Sequence, residues 1–303
     1  MASREKNASP SADERYSKGF LVGMVVGVSL AGLFNPVDQA LYLMILHRRP
    51  FLSRANFANP WEGLSQAVFI RTLSGGMFYP LFDVWNGALS KLFPPTILAV
   101  PAFTSIAAGQ LTGLTNAILM NPMNAVKYQM WGKPMQSMRN TSQQMWKEHG
   151  GKAFTTGMGV TALRDAIFGG VYAGARRTIN DRLLSPARSC AAATERRHTG
   201  LQAAVVDMSA GAMATAISSP LNYARNMKFA NLHTQEPPGI KAALAQLGGE
   251  VLARHRCEGP FMAASYLQQR LGLGWGAVRV GVGMGLGQQL YNFAMQIPSE
   301  GDV

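Results

Sequence analysis

The sequence carries few charges, and acidic ones are especially scarce. Only 15% of its 303 residues are charged, against about 25% in an ordinary soluble domain, and 28 Lys and Arg stand against 16 Asp and Glu. The apolar fraction of 48% excludes a disordered chain, and a mean hydropathy of +0.04 is too high for a typical basic nucleic-acid-binding protein. The composition therefore favours a folded protein with part of its surface outside water.

Residues that carry chemistry are also sparse. The two cysteines, Cys190 and Cys257, are too far apart to form a disulfide framework or a metal box. None of the histidines has the i,i+4 partner that a metal site needs: His47, His149, His198, His233 and His255. The Gly-rich string from Gly272 has no preceding strand and no following Lys-Ser/Thr, so it is not a phosphate loop. We therefore expect no enzyme activity, no metal and no cofactor.

Four long stretches contain no Asp, Glu, Lys or Arg. They run over residues 19–37, 92–126, 208–224 and 280–299, close to the roughly 20 residues that cross a bilayer. Gly, Ser, Asn and Gln are scattered through them, and such residues line close helix contacts and polar bundle interiors in membranes. A soluble helical protein is disfavoured, because each interior Gly costs about 1 kcal/mol relative to Ala. The pattern predicts a helical membrane bundle with a polar centre.

Two sets of spacings recur three times. The strings NPVDQALYL, NPMNAVKYQ and SPLNYARNM begin at Asn35, Asn121 and Ser219, which places Pro36, Pro122 and Pro220 in equivalent positions. A proline inside a helix kinks it, so three kinked helices would converge at one end. The second set consists of a glycine, a residue seven positions later and a residue thirteen positions after that. It occurs as Gly157, Arg164 and Arg177; as Gly272, Arg279 and Asn292; and as Gly63, Ile70 and Asp83, where Arg71 lies one position beyond Ile70. Together they indicate triplication.

This threefold pattern resembles the mitochondrial carrier family, most closely in GMGVTALRDAIFGGVYAG from Gly157. The resemblance implies an all-α membrane protein with six transmembrane helices in three tandem two-helix repeats and threefold pseudosymmetry. It also implies a central cavity with a gate at each end. The expected organisation is a polar N-terminal tail at 1–16, repeats at 17–95, 96–184 and 201–297, a basic loop at 185–200 and a C-terminal tail at 298–303.

The same resemblance assigns two gates whose charges are incomplete. The matrix gate contains Asp38, Asn124, Lys127, Asn222 and Arg225. There we expect an ionic Asp38–Lys127 pair and an amide hydrogen bond between Asn124 and Arg225, whereas Leu41 leaves Asn222 without an ionic partner. The cytoplasmic-side gate contains Asp83, Arg177 and Asn292, of which Asp83 and Arg177 could pair. Its weakness favours a chain resting open to that side, or one that no longer cycles.

The resemblance also assigns a substrate site at mid-depth. Its residues are Arg71, Arg164, Asp165 and Arg279. Arginine inside a membrane is costly, and its planar fork suits carboxylates and phosphates. The adjacent Arg164 and Asp165 resemble the pair found in carriers of amino acids. In such a carrier Arg164 would bind the carboxylate of the substrate and Asp165 its ammonium. The alternative is that the two side chains merely neutralise each other.

Two functions remain open from the sequence. The first is a multi-pass solute carrier of the mitochondrial inner membrane that moves a small anionic or zwitterionic metabolite, an amino acid or carboxylate, by alternating access. The alternative is a non-transporting structural subunit or adaptor of a membrane complex, which the incomplete gates motivate and the cavity arginines oppose. Expected partners are the metabolite and lipid such as cardiolipin at His47-Arg48-Arg49 and Arg196-Arg197-His198, with no nucleic acid.

Overall fold

Helices make up almost all of the chain that the computed structural model describes. The described residues are 12–94, 101–131, 137–184, 200–232 and 238–296, and no strand occurs within these ranges. Most of the predicted N-terminal tail, the predicted basic loop with its Arg196-Arg197-His198 run, and the C-terminal tail lie outside the described residues. The all-helical architecture predicted from the sequence is therefore present throughout the described chain.

Six of the described helices are long, and four are short. In chain order they are α1 (Ala12–His47), α2 (Leu64–Leu92), α3 (Pro101–Met130), α4 (Met138–His149), α5 (Lys152–Thr155), α6 (Met158–Leu184), α7 (Gly200–Ala230), α8 (Ile240–Glu258), α9 (Pro260–Leu271) and α10 (Trp275–Gln296). A short 3-10 turn, Arg54–Asn56, lies between α1 and α2.

The long helices form a closed ring. Helix α1 packs on α2, α2 on α3, α3 on α6, α6 on α7 and α7 on α10, and α10 returns to α1. Short helices pack beside the C-terminal halves of α1, α3 and α7, as α5 does on α3 and α9 on α1. This arrangement leaves the interior of the ring enclosed by six helices.

Glycines allow the paired helices to approach until their backbones touch. A side chain at Gly23 would run into the backbone of Gly75, and one at Gly109 would run into that of Gly169. A side chain at Gly113 would meet the carbonyl of Asp165. The cost of these glycines in helix propensity is offset by close packing, which is the reason the sequence favours a membrane bundle.

The recurring prolines and glycines occupy corresponding structural positions. Pro36, Pro122 and Pro220 lie inside α1, α3 and α7. Gly63, Gly157 and Gly272 precede α2, α6 and α10, and all three adopt left-handed backbone with φ of 71°, 77° and 67°. Since this conformation strains residues that have a Cβ atom, it explains why glycine recurs there.

The asparagines before two of the prolines make equivalent hydrogen bonds. Asn35 donates through Nδ2 to the carbonyls of Pro60 and Glu62, at 3.1 and 3.4 Å. Asn121 donates to those of Phe154 and Thr156, at 2.8 and 3.2 Å. Each bond ties a kinked helix to the loop before its left-handed glycine. In the third segment Ser219 instead bonds within its own helix.

Two of the described helices are candidate membrane spans by length and composition alone. They cover Ser17–His47 and Leu201–Ala230, with mean hydropathies of 1.9 and 1.2. Charged residues along α6, including Arg164, Asp165, Arg176 and Arg177, make that helix less apolar than α1. A ring of six long helices is thus observed, whereas six membrane crossings with threefold pseudosymmetry stay a prediction.

Candidate functional site

A cavity of about 1050 Å³ lies inside the ring and is lined by all six long helices. Of the residues that the sequence assigns to the site and the gates, eleven line it: Asp38, Arg71, Asp83, Asn124, Lys127, Arg164, Asp165, Arg177, Asn222, Arg225 and Arg279. Asn292 is not in the wall; it is exposed and accepts a hydrogen bond from Gln288. A smaller groove of about 470 Å³ between α3, α6 and α7 has no charged lining. The charged cavity is therefore the candidate site.

Packed aromatic rings close one end of the cavity. Tyr42, Tyr128, Trp131 and Phe229, which we call the aromatic end, are all buried. The centroid of Tyr128 lies 4.9 Å from Tyr42, 5.3 Å from Trp131 and 4.8 Å from Phe229. The Tyr42 hydroxyl donates to the Tyr128 carbonyl at 3.3 Å. Because the rings come from α1, α3 and α7, they hold together the three helices that contain the repeated prolines.

Part of the aromatic end could have been predicted from the sequence, but the gate was assigned there from charged residues alone. Tyr42 and Tyr128 each lie six residues after a repeated proline, Pro36 and Pro122. The corresponding residue of the third string is Asn226, so the tyrosine recurs only twice. Phe229 and Trp131 come from positions outside the repeated strings.

The ion pair that the sequence predicts at this end is not formed in this structure. Lys127 lies over the rings of Tyr128 and Trp131, with Nζ 5.1 and 4.7 Å from their centroids. Arg225 donates through Nη2 to the Tyr128 hydroxyl at 2.8 Å, and the expected bond from Arg225 to Asn124 is absent from this structure. Aromatic faces attract cations, so the rings take the place of the missing acidic partners.

Asp38 instead binds two arginines that the sequence assigns to the substrate site. Arg71 Nη2 and Arg279 Nη2 each lie 2.6 Å from Asp38 Oδ2, and Arg279 Nε pairs with Oδ1. Arg279 also stacks on Phe34, 4.6 Å from its centroid, and its side chain is only 8% exposed. We call Asp38, Arg71 and Arg279 the clamp. The forked guanidinium matches a carboxylate better than an ammonium does, which favours arginine over Lys127 as partner.

Arg164 and Asp165 pair with each other. Arg164 Nη1 bonds to Asp165 Oδ1, and the guanidinium lies 5.2 Å from the centroid of Phe168. Both side chains are about four-fifths buried and both line the cavity. This geometry is the one expected if the two residues neutralise each other.

The opposite end of the cavity is open, because its wall includes the exposed residues Asp83 and Asp181. Here Arg177 Nε lies 3.6 Å from Asp181 one turn along α6. No Asp83–Arg177 pair, the link that the sequence allows, is among the ion pairs of the described chain. The rest state open at this end, expected from the weak lock, stays a prediction.

A buried network near the open end was missed by the sequence reasoning. Asp207 is fully buried, Arg176 Nε lies 2.6 Å from its Oδ1, and the Tyr172 hydroxyl donates to the same oxygen at 3.0 Å. The pair joins α6 to α7. Part of its signal was available in the sequence, since Asp207 is the single acidic residue of α7.

The cavity wall has an excess of positive charge. Seven basic and four acidic side chains line it, and two of the basic ones share the single carboxylate of Asp38. Lys127 and Arg225 add further positive charge at the aromatic end. A surplus of fixed cations in an enclosed space attracts anions and disfavours free cations.

Comparison with known proteins agrees with the resemblance seen in the sequence. Residues 99–186 match the family model described as mitochondrial carrier protein. The matched stretch runs from the start of α3 to the end of α6, and it contains GMGVTALRDAIFGGVYAG, where the resemblance is closest. A search of curated proteins gave no match. Over residues 99–186, the family match bears out the resemblance seen in the repeated motifs.

Proposed function

We propose that this member of the mitochondrial carrier family moves a small anionic or zwitterionic metabolite, an amino acid or carboxylate, across the mitochondrial inner membrane by alternating access. Family members are transporters and not enzymes, and the match supports that class for this chain. The substrate class, the cycle and the inner-membrane location are our proposals.

The clamp is the observation that carries this proposal. Two guanidinium groups from α2 and α10 converge inside the cavity on one carboxylate, that of Asp38. A substrate carboxylate could take over part of these bonds, because each arginine presents five donors and the clamp holds more positive than negative charge. Asp38 would then act as the resident anion that a substrate replaces.

The Arg164–Asp165 pair gives less support for an amino-acid substrate. Its charges are satisfied by one another, so a zwitterion would have to separate them before binding both. The clamp requires only the exchange of one carboxylate for another. Within the proposed class, the geometry thus favours the carboxylate.

Alternating access would require the aromatic end to open and the other end to close. In this structure the aromatic end is shut by ring contacts and the cavity reaches the exposed Asp83. We propose that Asp38, Asn124, Lys127, Asn222 and Arg225 act at the first gate. Asp83, Arg177 and Asn292 are proposed to act at the second, in states other than this one.

One observation favours the adaptor function. The closed end is held by apolar ring contacts from three helices, and its rings are buried. A permanently closed bundle would hold its helices in this way, whereas ion pairs exchange readily. We keep a structural subunit or adaptor of a membrane complex as the second candidate.

Lipid binding at the basic run His47-Arg48-Arg49 is a further proposal. Arg48 donates to Glu250 at 2.8 Å, and Arg49 Nε donates to Asn56 at 2.5 Å. Arginines can still attract an anionic headgroup such as that of cardiolipin when they are half exposed, as Arg48 is.

Uptake by reconstituted vesicles tests the proposal. Vesicles containing the purified chain should take up labelled dicarboxylates or amino acids, and Arg279→Gln should abolish this uptake. The matched control is Arg254→Gln on α8, an exposed arginine that pairs with Glu258 one turn away, stacks on Tyr266 and is not part of the cavity wall. Absence of uptake for every class by folded wild-type protein, together with stoichiometric co-purification of a membrane partner, would favour the adaptor.

A further inference from the structure

Lys127 and Arg225 are two cations in the cavity wall without acidic partners. Within the part of the chain that the structure describes, no carboxylate lies at ion-pair distance from either. The positions where an acid could have served them hold the amides Asn124 and Asn222. Both cations therefore face the cavity without a carboxylate in direct contact.

The surroundings of these cations are polar and incompletely hydrogen-bonded. The Nε of Arg225 is buried and has no acceptor, and the amide oxygens of Asn222 and Asn226 are buried without a donor. Asn226 is 95% buried, and all three residues line the cavity. Amide groups can turn to donate or accept, so this set can bind a group that carries several lone pairs. A bound anion would accept a hydrogen bond from the free Nε–H of Arg225, and each amide would join it after turning to present its NH2 group, which recovers the free-energy cost of leaving these groups unsatisfied.

The clamp and the pair of cations Lys127 and Arg225 lie at different depths of the cavity. Along α1, Asp38 of the clamp and Tyr42 of the aromatic end are one helical turn apart, a rise of about 6 Å. Tyr42 contacts Tyr128, whose hydroxyl accepts the bond from Arg225. A substrate bound to the clamp could therefore reach Lys127 and Arg225 with a second anionic group on a short chain.

We propose that Lys127 and Arg225 form a second anion-binding subsite, so that the substrate is a short dianion with one carboxylate at the clamp and a second anionic group near the aromatic end. This inference rests on the proposed carrier function and narrows its substrate class from amino acids or carboxylates to dianions. The second group is a carboxylate or a phosphate-like group, since Lys127 and Arg225 bind either.

Binding of matched probes to the purified full-length chain tests the subsite. The probes are succinate, butyrate and 3-phosphonopropionate, which share a short chain and differ in the number and kind of anionic groups. Succinate or 3-phosphonopropionate should bind about 10- to 150-fold more tightly than butyrate, as expected for one additional charge-assisted contact. The tighter of the two identifies the second group.

Variants assign the effect to these residues. Lys127→Gln and Arg225→Gln should each reduce the ratio of succinate to butyrate affinity towards one. Lys147→Gln, on the exposed face of α4, should leave the ratio as in wild type. If one cavity variant fails to fold, the other still tests the assignment, and the ratio measured on wild type tests whether a second anionic group is bound.

The possible results distinguish failure of the subsite proposal from failure of the proposed carrier function. Equal affinity of wild type for all three probes would overturn the subsite and leave a monocarboxylate or amino-acid carrier standing. Absence of binding by every probe, with absence of uptake, would overturn both proposals. A ratio that survives in both cavity variants would place the second contact elsewhere and refute the assignment to Lys127 and Arg225.

Discussion

Replacing Arg279 with Gln should reveal how strongly the clamp contributes to stability. Arg279 donates through Nη2 to Asp38 Oδ2, its Nε forms an ion pair with Oδ1, and its side chain is 8% exposed, so these contacts are protected from solvent. Breaking an isolated buried ion pair costs about 3–5 kcal/mol, but Arg71 still holds Asp38 in the variant. We therefore expect a loss of about 1.5–3 kcal/mol, the range for hydrogen bonds to charged groups.

The cycle with Asp38→Asn tests whether the contact is direct. In the double variant neither the carboxylate nor Arg279 remains. Its loss of unfolding free energy should therefore be smaller than the sum of the two single losses, by about 1–3 kcal/mol. Thermal unfolding of the detergent-purified protein, followed by tryptophan fluorescence, gives the comparison. Additive losses within about 0.5 kcal/mol would refute a direct interaction in solution.

The same variants report on substrate binding with opposite signs. Arg279→Gln should weaken binding of a carboxylate probe, because the clamp keeps only Arg71. Asp38→Asn should strengthen it, because both arginines lose the resident anion with which the probe competes. Weaker binding in Asp38→Asn would show that Asp38 does not occupy the position of a substrate carboxylate.

Three further outcomes follow from the geometry. Arg164→Ala should lower the thermal stability more than it lowers carboxylate affinity, because it leaves Asp165 without its bonded partner; a selective loss of affinity would contradict that view. Burial alone would raise the pKa of the Glu250 carboxyl, but the hydrogen bond from Tyr266 at 2.6 Å helps to hold it below the ordinary 4.5. Its stabilising contribution is present at neutral pH and lost as the pH falls through the lowered value, so Glu250→Gln should flatten the decline in melting temperature below about pH 5. Gly113→Val should destabilise the bundle, because its side chain meets the backbone of α6; an unchanged melting temperature would argue against this helix contact.

The helical architecture could be predicted from the sequence because its signals are local. A proline such as Pro36 marks a kinked helix regardless of what surrounds it, and Gly63 marks a left-handed turn. Gly23 and Gly109 indicate close helix contacts for the same reason. Helix order follows from the repeated spacing, and the ring forms when those helices pack in sequence.

The pairing of charges could not be predicted in the same way. Asp38 has two arginines and one lysine on neighbouring walls, and only the three-dimensional distances decide which of them bind it. Asp207 and Arg176 come from different helices, so nothing along the chain connects them. Spacing assigns residues to a level of the cavity, whereas packing selects the partner.

The absence of acidic residues at positions 124 and 222 affects both how the aromatic end is closed and how much positive charge remains in the cavity wall. With amides at Asn124 and Asn222, the closed end cannot be held by a ring of ion pairs, which in partly exposed positions contribute about 0–1 kcal/mol each. The contacts of Tyr128 with Tyr42, Trp131 and Phe229 contribute about 0.5–1.5 kcal/mol each beyond their burial, so closure need not be weaker. The cations that would have completed the ion pairs remain in the cavity wall. A change that appears as erosion of a gate therefore leaves the closed end held by rings and provides positive charge for an anionic substrate.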